Sequence, residues 1–249
     1  MLSTDKAWEK FGKDEPYFGV LAHEKYTLKQ INQNRDEFFS SGNGAVARIM
    51  SRYEDHFGSV LRRRVLDHGC GVGRLTIAFA EQFENVVALD VSPSMLTEAK
   101  ANALQFGFSN VTFALADDWL SNAVGTFDFV NSHMVLQHIP VRRGLRIMSR
   151  MLDKLNDGGG FHFHISVRTD RLRSRALWWT SHHVPGVKMI QNLCAGRRWN
   201  APAMQMNNYP LNRVLALLAS RNVTQILVSP ENHADFLTLS LSGRMPVRT

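Results

Sequence analysis

Three glycines at alternate positions, Gly69, Gly71 and Gly73, follow a short apolar run that ends in an acid, Val65-Leu66-Asp67-His68. Residues without a Cβ belong where a strand turns sharply into a helix and where a ligand lies against bare backbone. The helix-forming run Leu75–Phe83 comes next, and a helix N-terminus offers free N–H groups with a partial positive charge. This stretch therefore predicts a strand, a ligand loop and a helix in immediate succession.

The chain repeats that unit. Strand Val86–Asp90 leads to helix Pro93–Phe106, for which Ser92 is the predicted cap and Pro93 the first position. Strand Val111–Ala114 is followed by a poorly patterned link at Asp118–Gly125, then strand Phe127–Asn131 and helix Arg142–Asn156. Gly158-Gly159-Gly160 is expected to end that helix before strand Phe161–Ser166. Alternating strands and helices predict an α/β fold, a parallel sheet with helices on both faces. Ligands in such sheets bind beyond the carboxyl ends of the strands, so the residues ending each strand are the candidates.

The chemistry around the glycines narrows the ligand. A dinucleotide fingerprint spaces its glycines G-x-G-x-x-G so that a pyrophosphate reaches the helix end. Here Asp67 stands two residues ahead of the first glycine. A carboxylate there repels pyrophosphate and suits an ammonium group. The next strand ends at Asp90, where a carboxylate can take both ribose hydroxyls. Ribose, ammonium and carboxylate without phosphate describe S-adenosylmethionine. On these residues the chain resembles the class I S-adenosylmethionine-dependent methyltransferases of small-molecule type, from about Val65 to the C-terminus.

The resemblance implies a Rossmann-like, seven-stranded, mostly parallel sheet closed by an antiparallel C-terminal strand, here from helix Leu211–Ser220, strand Val223–Val228, a loop at Ser229-Pro230-Glu231-Asn232 and strand Asp235–Leu241. It implies that Asp67, Gly69, Cys70, Gly71 and Gly73 line the methionine part of the cofactor. Asp90 would hold the ribose and Val91 and Met95 the adenine, with Asp117, Asp118 and Trp119 beyond the third strand. Ser132 and Gln137, in the segment after the fourth strand, would border cofactor and acceptor. That segment lacks the Asn/Asp-Pro-Pro-aromatic sequence of enzymes that methylate exocyclic base amines, which argues against a nucleic-acid partner.

Methyl transfer to a hydroxyl or a protonated amine needs a base, and histidine is the usual one. His133 and His138 are the catalytic candidates. His162 and His164 share one strand face, but no metal is expected, because the Asp/Asp/Asn set used by the metal-dependent catechol methyltransferases of the family the chain resembles is not visible at the expected strand ends.

Residues 1–58 are expected to form an arm and cap helices, and 59–249 the cofactor-binding domain. Residues 1–20 suggest an irregular arm; 24–40 and Ala45–His56 suggest two helices parted by Ser40-Ser41-Gly42-Asn43-Gly44. An inserted substrate lid is expected at about 167–209. The candidate acceptor contacts are Tyr17, Arg35, Arg171, Trp178, Trp179 and Tyr209.

At 249 residues the chain is long enough for one domain with appendages. Its net charge is +7, and from Arg168 to Asn200 seven Lys/Arg face one acid, Asp170, so +6 of that excess lies in one segment. If those arginines face the crevice, the acceptor is anionic. RNA or protein methylation, or a non-catalytic cofactor-binding subunit, are the alternatives. No apolar run spans a membrane, the first residues lack the core of a signal peptide, and two cysteines, one inside the ligand loop, point to a reducing cytoplasm.

Overall fold

The computed structural model describes residues 4–169, 204–233 and 236–247. Its centre is a seven-stranded sheet: β1 (Arg64–His68), β2 (Asn85–Asp90), β3 (Val111–Leu115), β4 (Phe127–Ser132), β5 (Leu155–Thr169), β6 (Ile226–His233) and β7 (Phe236–Arg244). The spatial order is β3-β2-β1-β4-β5-β7-β6. β1 pairs in parallel with both β2 and β4, while β7 runs antiparallel to β5 and β6. The expected mostly parallel sheet with one reversed C-terminal strand is thus present.

Parallel strands covered on both faces carry apolar residues almost continuously. Val65 and Leu66 of β1 and Phe127, Phe129 and Val130 of β4 are all fully buried. One face packs on α6 (Val141–Asp153) and α7 (Leu211–Ala219), with Phe161, Phe163 and Ile165 of β5 in that core. Burying each such side chain contributes about 1.5–3 kcal/mol. The other face packs on α3 (Ile31–Phe57) and α4 (Arg74–Ala80), through Val65, Phe79 and Phe129. α5 (Pro93–Gln105) starts as predicted: the Ser92 hydroxyl accepts from the Met95 amide at 3.1 Å, and Pro93 is the first helical residue.

Four expectations are corrected. The arm is helical, as α1 (Thr4–Asp14) and α2 (Pro16–Val20). Gly42 does not break a helix: α3 runs 27 residues without interruption. A Cβ on Gly42 would lie 2.2 Å from the Arg74 carbonyl, so this glycine serves close approach of α3 to α4. The three glycines at 158–160 lie inside β5, where the pairing with β4 shifts register between Phe127 and Phe129. Ser229-Pro230-Glu231-Asn232 is strand, not loop; β6 is the sheet edge, where a proline deprives no neighbour of a hydrogen bond.

Most of the expected lid, residues 170–203, lies outside the described residues, and Arg171, Trp178 and Trp179 with it. No helix among the described residues is long and apolar enough to cross a membrane.

Candidate cofactor and acceptor site

The chain changes direction across the sheet at β1, which has β2 on one side and β4 on the other, and a crevice opens beyond the carboxyl ends of these strands. The loop at its floor needs its glycines. Gly69 and Gly71 have φ of +76° and +54°, and an added Cβ would lie 2.3 Å from Val135 and 2.5 Å from Val20 respectively. Gly73 caps α4 in the left-handed region and lies outside the cleft wall.

The loop amides are committed within the protein. Gly69 and Cys70 both donate to the Leu89 carbonyl, at 2.7 and 3.0 Å, and Gly73 donates to the Cys70 carbonyl at 3.0 Å. The Gly71 amide donates to the Asp90 carboxylate at 2.9 Å. An amide cradle for phosphate needs such groups turned outward; these four are turned inward.

Acids line the cleft instead. Asp67 accepts from the Thr76 hydroxyl at 2.6 Å and from Asn131 Nδ2 at 2.8 Å, yet burial still holds its pKa above the usual carboxylate value. Asp90 accepts from the amides of Gly71 and Ser92, each at 2.9 Å, and burial pushes it up to about 6. Asp117 accepts from the amides of Trp119 and Ser121, each at 3.0 Å; the Ser121 amide chiefly holds its pKa low. Val91 and the buried Met95 complete this wall.

The segment after β4 forms the facing wall, with His133, Met134, Val135 and His138. Met134 sits at φ +60°, an uncommon conformation for a side-chain-bearing residue. His138 Nδ1 lies 2.6 Å from the Gln205 carbonyl. A carbonyl only accepts, so Nδ1 carries the proton and Nε2 the lone pair. Burial lowers the His138 pKa to about 4, which keeps the ring neutral. His133 Nδ1 lies 3.3 Å from His162 Nε2, and His162 Nδ1 lies 3.1 Å from the Ser242 hydroxyl. His162 is itself neutral, its pKa lowered to about 3 by burial.

α1 and α2 roof the cleft with Thr4, Asp5, Trp8, Gly19 and Val20. Two attachments hold the roof. Glu9 accepts from the Ser92 and Ser94 hydroxyls at 2.7 and 2.8 Å. Arg143 of α6 reaches Asp5 at 2.6 Å and Asp118 at 2.5 Å.

Several anticipated residues stand elsewhere. Asp118 is spent on Arg143 and Arg146, and Trp119 is 58% exposed beneath Arg150, 4.8 Å from its ring centre. Ser132 bonds His68 inside the sheet at 3.3 Å, and Gln137 is buried behind the wall, its backbone carbonyl taken by the Asn207 amide at 2.7 Å. Arg35 donates to Tyr17 at 2.9 Å, to Gln105 at 2.6 Å and to Asn102, so both residues fasten the cap to α5, away from the cleft. Tyr209 is buried and donates to the Ile139 carbonyl at 3.0 Å. Arg74, Trp8 and Arg143 line the cleft without having been anticipated. Arg74 directly follows the glycines, which was the available signal.

A family model described as a methyltransferase domain matches residues 65–159, which span the glycine loop, Asp90, Asp117 and His133. Over these residues the chain is similar to S-adenosylmethionine-dependent methyltransferases. The chain is 31% identical over 121 residues to trans-aconitate 2-methyltransferase of Deinococcus radiodurans, covering 48% of this chain and 44% of that protein. It is 39% identical over 110 residues to the 23S rRNA (uracil(1939)-C(5))-methyltransferase RlmD of Shewanella amazonensis, covering 43% of this chain and 23% of that protein. The chain thus spans less than half the length of these curated relatives. Its fold matches magnesium protoporphyrin IX methyltransferase of Synechocystis PCC 6803, crystallised with bound S-adenosylhomocysteine. The TM-score is 0.66 at 17% identity, covering 98% of this chain and 100% of that one.

The residues present fit the family's cofactor, S-adenosylmethionine. Two carboxylates answer a ligand with an ammonium group and ribose hydroxyls, and the amides of Gly69, Cys70, Gly71 and Gly73 are already committed within the protein. Arg74 is buried on the same wall, and its Nε has no hydrogen-bond partner. An orphaned guanidinium N–H beside the loop is the complement of an amino-acid carboxylate.

Proposed function

We propose that the protein transfers a methyl group from S-adenosylmethionine to an oxygen or nitrogen of a small, anionic acceptor. The observation that carries this reading is the junction at His133, a side chain that borders both the acidic cofactor cleft and a second, polar cleft beside it.

The cofactor supplies an electrophilic methyl group on a sulfonium. The chain's own residues hold and orient. Asp90 takes the ribose hydroxyls, Asp67 and the glycine loop face the methionine part, Arg74 takes its carboxylate, and Asp117, Val91 and Met95 enclose the base. The α1 roof, closed by Trp8 over His138 with ring centres 5.0 Å apart, excludes water from the reacting atoms. Orientation and water exclusion of this kind can supply about 7–11 kcal/mol of a barrier.

His133 takes the proton of the acceptor hydroxyl or ammonium, positioned by the contact of its Nδ1 with the neutral His162. His138, with its Nε2 lone pair, orients the acceptor. Negative charge on the acceptor is favoured by the arginines of α3 that border the second cleft. The cofactor grip is sited in the cytoplasm, where Cys70 of the ligand loop, a free and buried thiol, stays reduced.

The test is release of S-adenosylhomocysteine against a panel of hydroxy- and amino-carboxylates and their phosphate esters. Turnover is expected, and His133→Asn should lower kcat about 10²–10⁴-fold while leaving the Kd for S-adenosylhomocysteine within about twofold. An unchanged kcat in that variant would remove His133 from the chemistry.

A further inference from the structure

The sheet face beneath α3 departs from what a covered sheet needs. On β5, Phe161, Phe163 and Ile165 point into the α6–α7 core, and Leu239 and Leu241 of β7 join them. The alternate residues on the α3 side are polar. His162 pairs with Ser242, His164 with Ser240, and Ser240 in turn with Ser229 of β6. Buried polar groups cost free energy unless partnered, so a helix-covered face is ordinarily apolar. Here Ser242 meets His162 at 3.1 Å and Ser240 donates to Glu231 at 2.8 Å, and with Ser229 these side chains line a cleft between the sheet and α3.

α3 borders that cleft with Ser41, Ala45, Arg48 and Arg52. The spacing i, i+4, i+7, i+11 puts these four on one stripe of the helix. Arg48 and Arg52 are both exposed, and the Arg48 side chain makes no hydrogen bond or ion pair among the described residues. Arg52 reaches only the edge of ion-pair contact with Glu231, at 4.0 Å. Two like charges four residues apart weaken a helix slightly; an anion placed between them reverses that sign. The cleft also shares Arg74, His133 and Met134 with the cofactor cleft. Whatever fills it therefore reaches the place where the methyl group is delivered.

We propose that the second cleft is the anion subsite for the acceptor. A carboxylate or phosphate of the acceptor sits between Arg48 and Arg52 over the Ser229–Ser240–Ser242 floor, and its reacting oxygen or nitrogen points toward His133. This assignment rests on the methyl-transfer reading of the first cleft, and it names the acceptor's recognition group and the residues that take it.

Citrate and inorganic phosphate, titrated calorimetrically into protein saturated with S-adenosylhomocysteine, serve as probes. At least one should bind, and which one binds more tightly tells carboxylate from phosphate. The double variant Arg48→Ala/Arg52→Ala, altered only at exposed positions and checked by far-UV circular dichroism, should weaken that probe at least about tenfold. Glu231→Gln, which removes the carboxylate of the cleft, should tighten it about two- to fivefold. A purely structural role for these side chains predicts no such opposite pair of effects. Absence of binding by both probes, or equal binding by wild type and double variant, would overturn the subsite. If S-adenosylhomocysteine itself fails to bind wild type, the methyl-transfer reading falls; titration of the probes into ligand-free protein then still decides whether the anion site exists.

Discussion

Asn131 at the end of β4 donates to Asp67 at the end of β1 across 2.8 Å, and so ties the two strands that flank the mouth of the crevice. Asp67 is 2% exposed and Asn131 fully buried. Asn131→Ala would leave a buried carboxylate with the Thr76 hydroxyl as its remaining side-chain donor. The expected loss is about 1–3 kcal/mol of unfolding free energy, measured by urea denaturation. A loss below about 0.5 kcal/mol would mean that the strand ends are held by backbone pairing alone.

Cofactor affinity should depend on pH through Asp90. Its carboxyl is pushed up to about 6 by burial, and in the proposed grip only the ionised form would accept from two ribose hydroxyls. Going from pH 7.5 to pH 5.5 should weaken S-adenosylhomocysteine binding about fourfold. The stability of the free protein runs the other way. A folded-state pKa raised above the ordinary 3.8 means that the native state binds the Asp90 proton more tightly than the unfolded chain. That contribution is complete below 3.8 and is lost as pH rises through about 6. Calorimetry across this window checks the first statement; a flat profile contradicts it.

The roof should be released by cutting one ion-pair junction. Arg143 joins Asp5 of α1 to Asp118, and its guanidinium is held charged most strongly by Asp5. These side chains are partly exposed, so each pair contributes only about 0.2–1 kcal/mol. Arg143→Ala should therefore raise the dissociation rate of S-adenosylhomocysteine about two- to tenfold, and high salt should partly reproduce this in wild type. Stopped-flow release that is the same in both proteins would show that the cap does not gate the cleft.

The strand ends were legible in the sequence because two signals agreed there, the alternation of apolar strands with helices and the glycine spacing behind Asp67. Gly42 shows where that legibility stops. A glycine that lets α3 approach Arg74 leaves the same mark as one that breaks a helix, and only the tertiary contact separates the two. Arg35 and Tyr17 were plausible ligands by type, but the side chains that engage them, Asn102 and Gln105, lie more than sixty residues away. Asp118 was likewise claimed by Arg143 from 25 residues away. The second cleft had no local signal at all. Ser229 reads as a loop residue, Ser240 as a strand serine, and Ser242 falls beyond the expected last strand, until the β6–β7 hairpin sets the three in register.

The central claim is that Asp90 grips the ribose of S-adenosylmethionine at the end of β2. Isothermal titration of S-adenosylhomocysteine into wild type and Asp90→Ala, each shown to be folded by circular dichroism, tests it directly. Loss of two charge-assisted hydrogen bonds should weaken binding about a hundredfold or more in the variant. A folded Asp90→Ala protein with wild-type affinity would contradict the account.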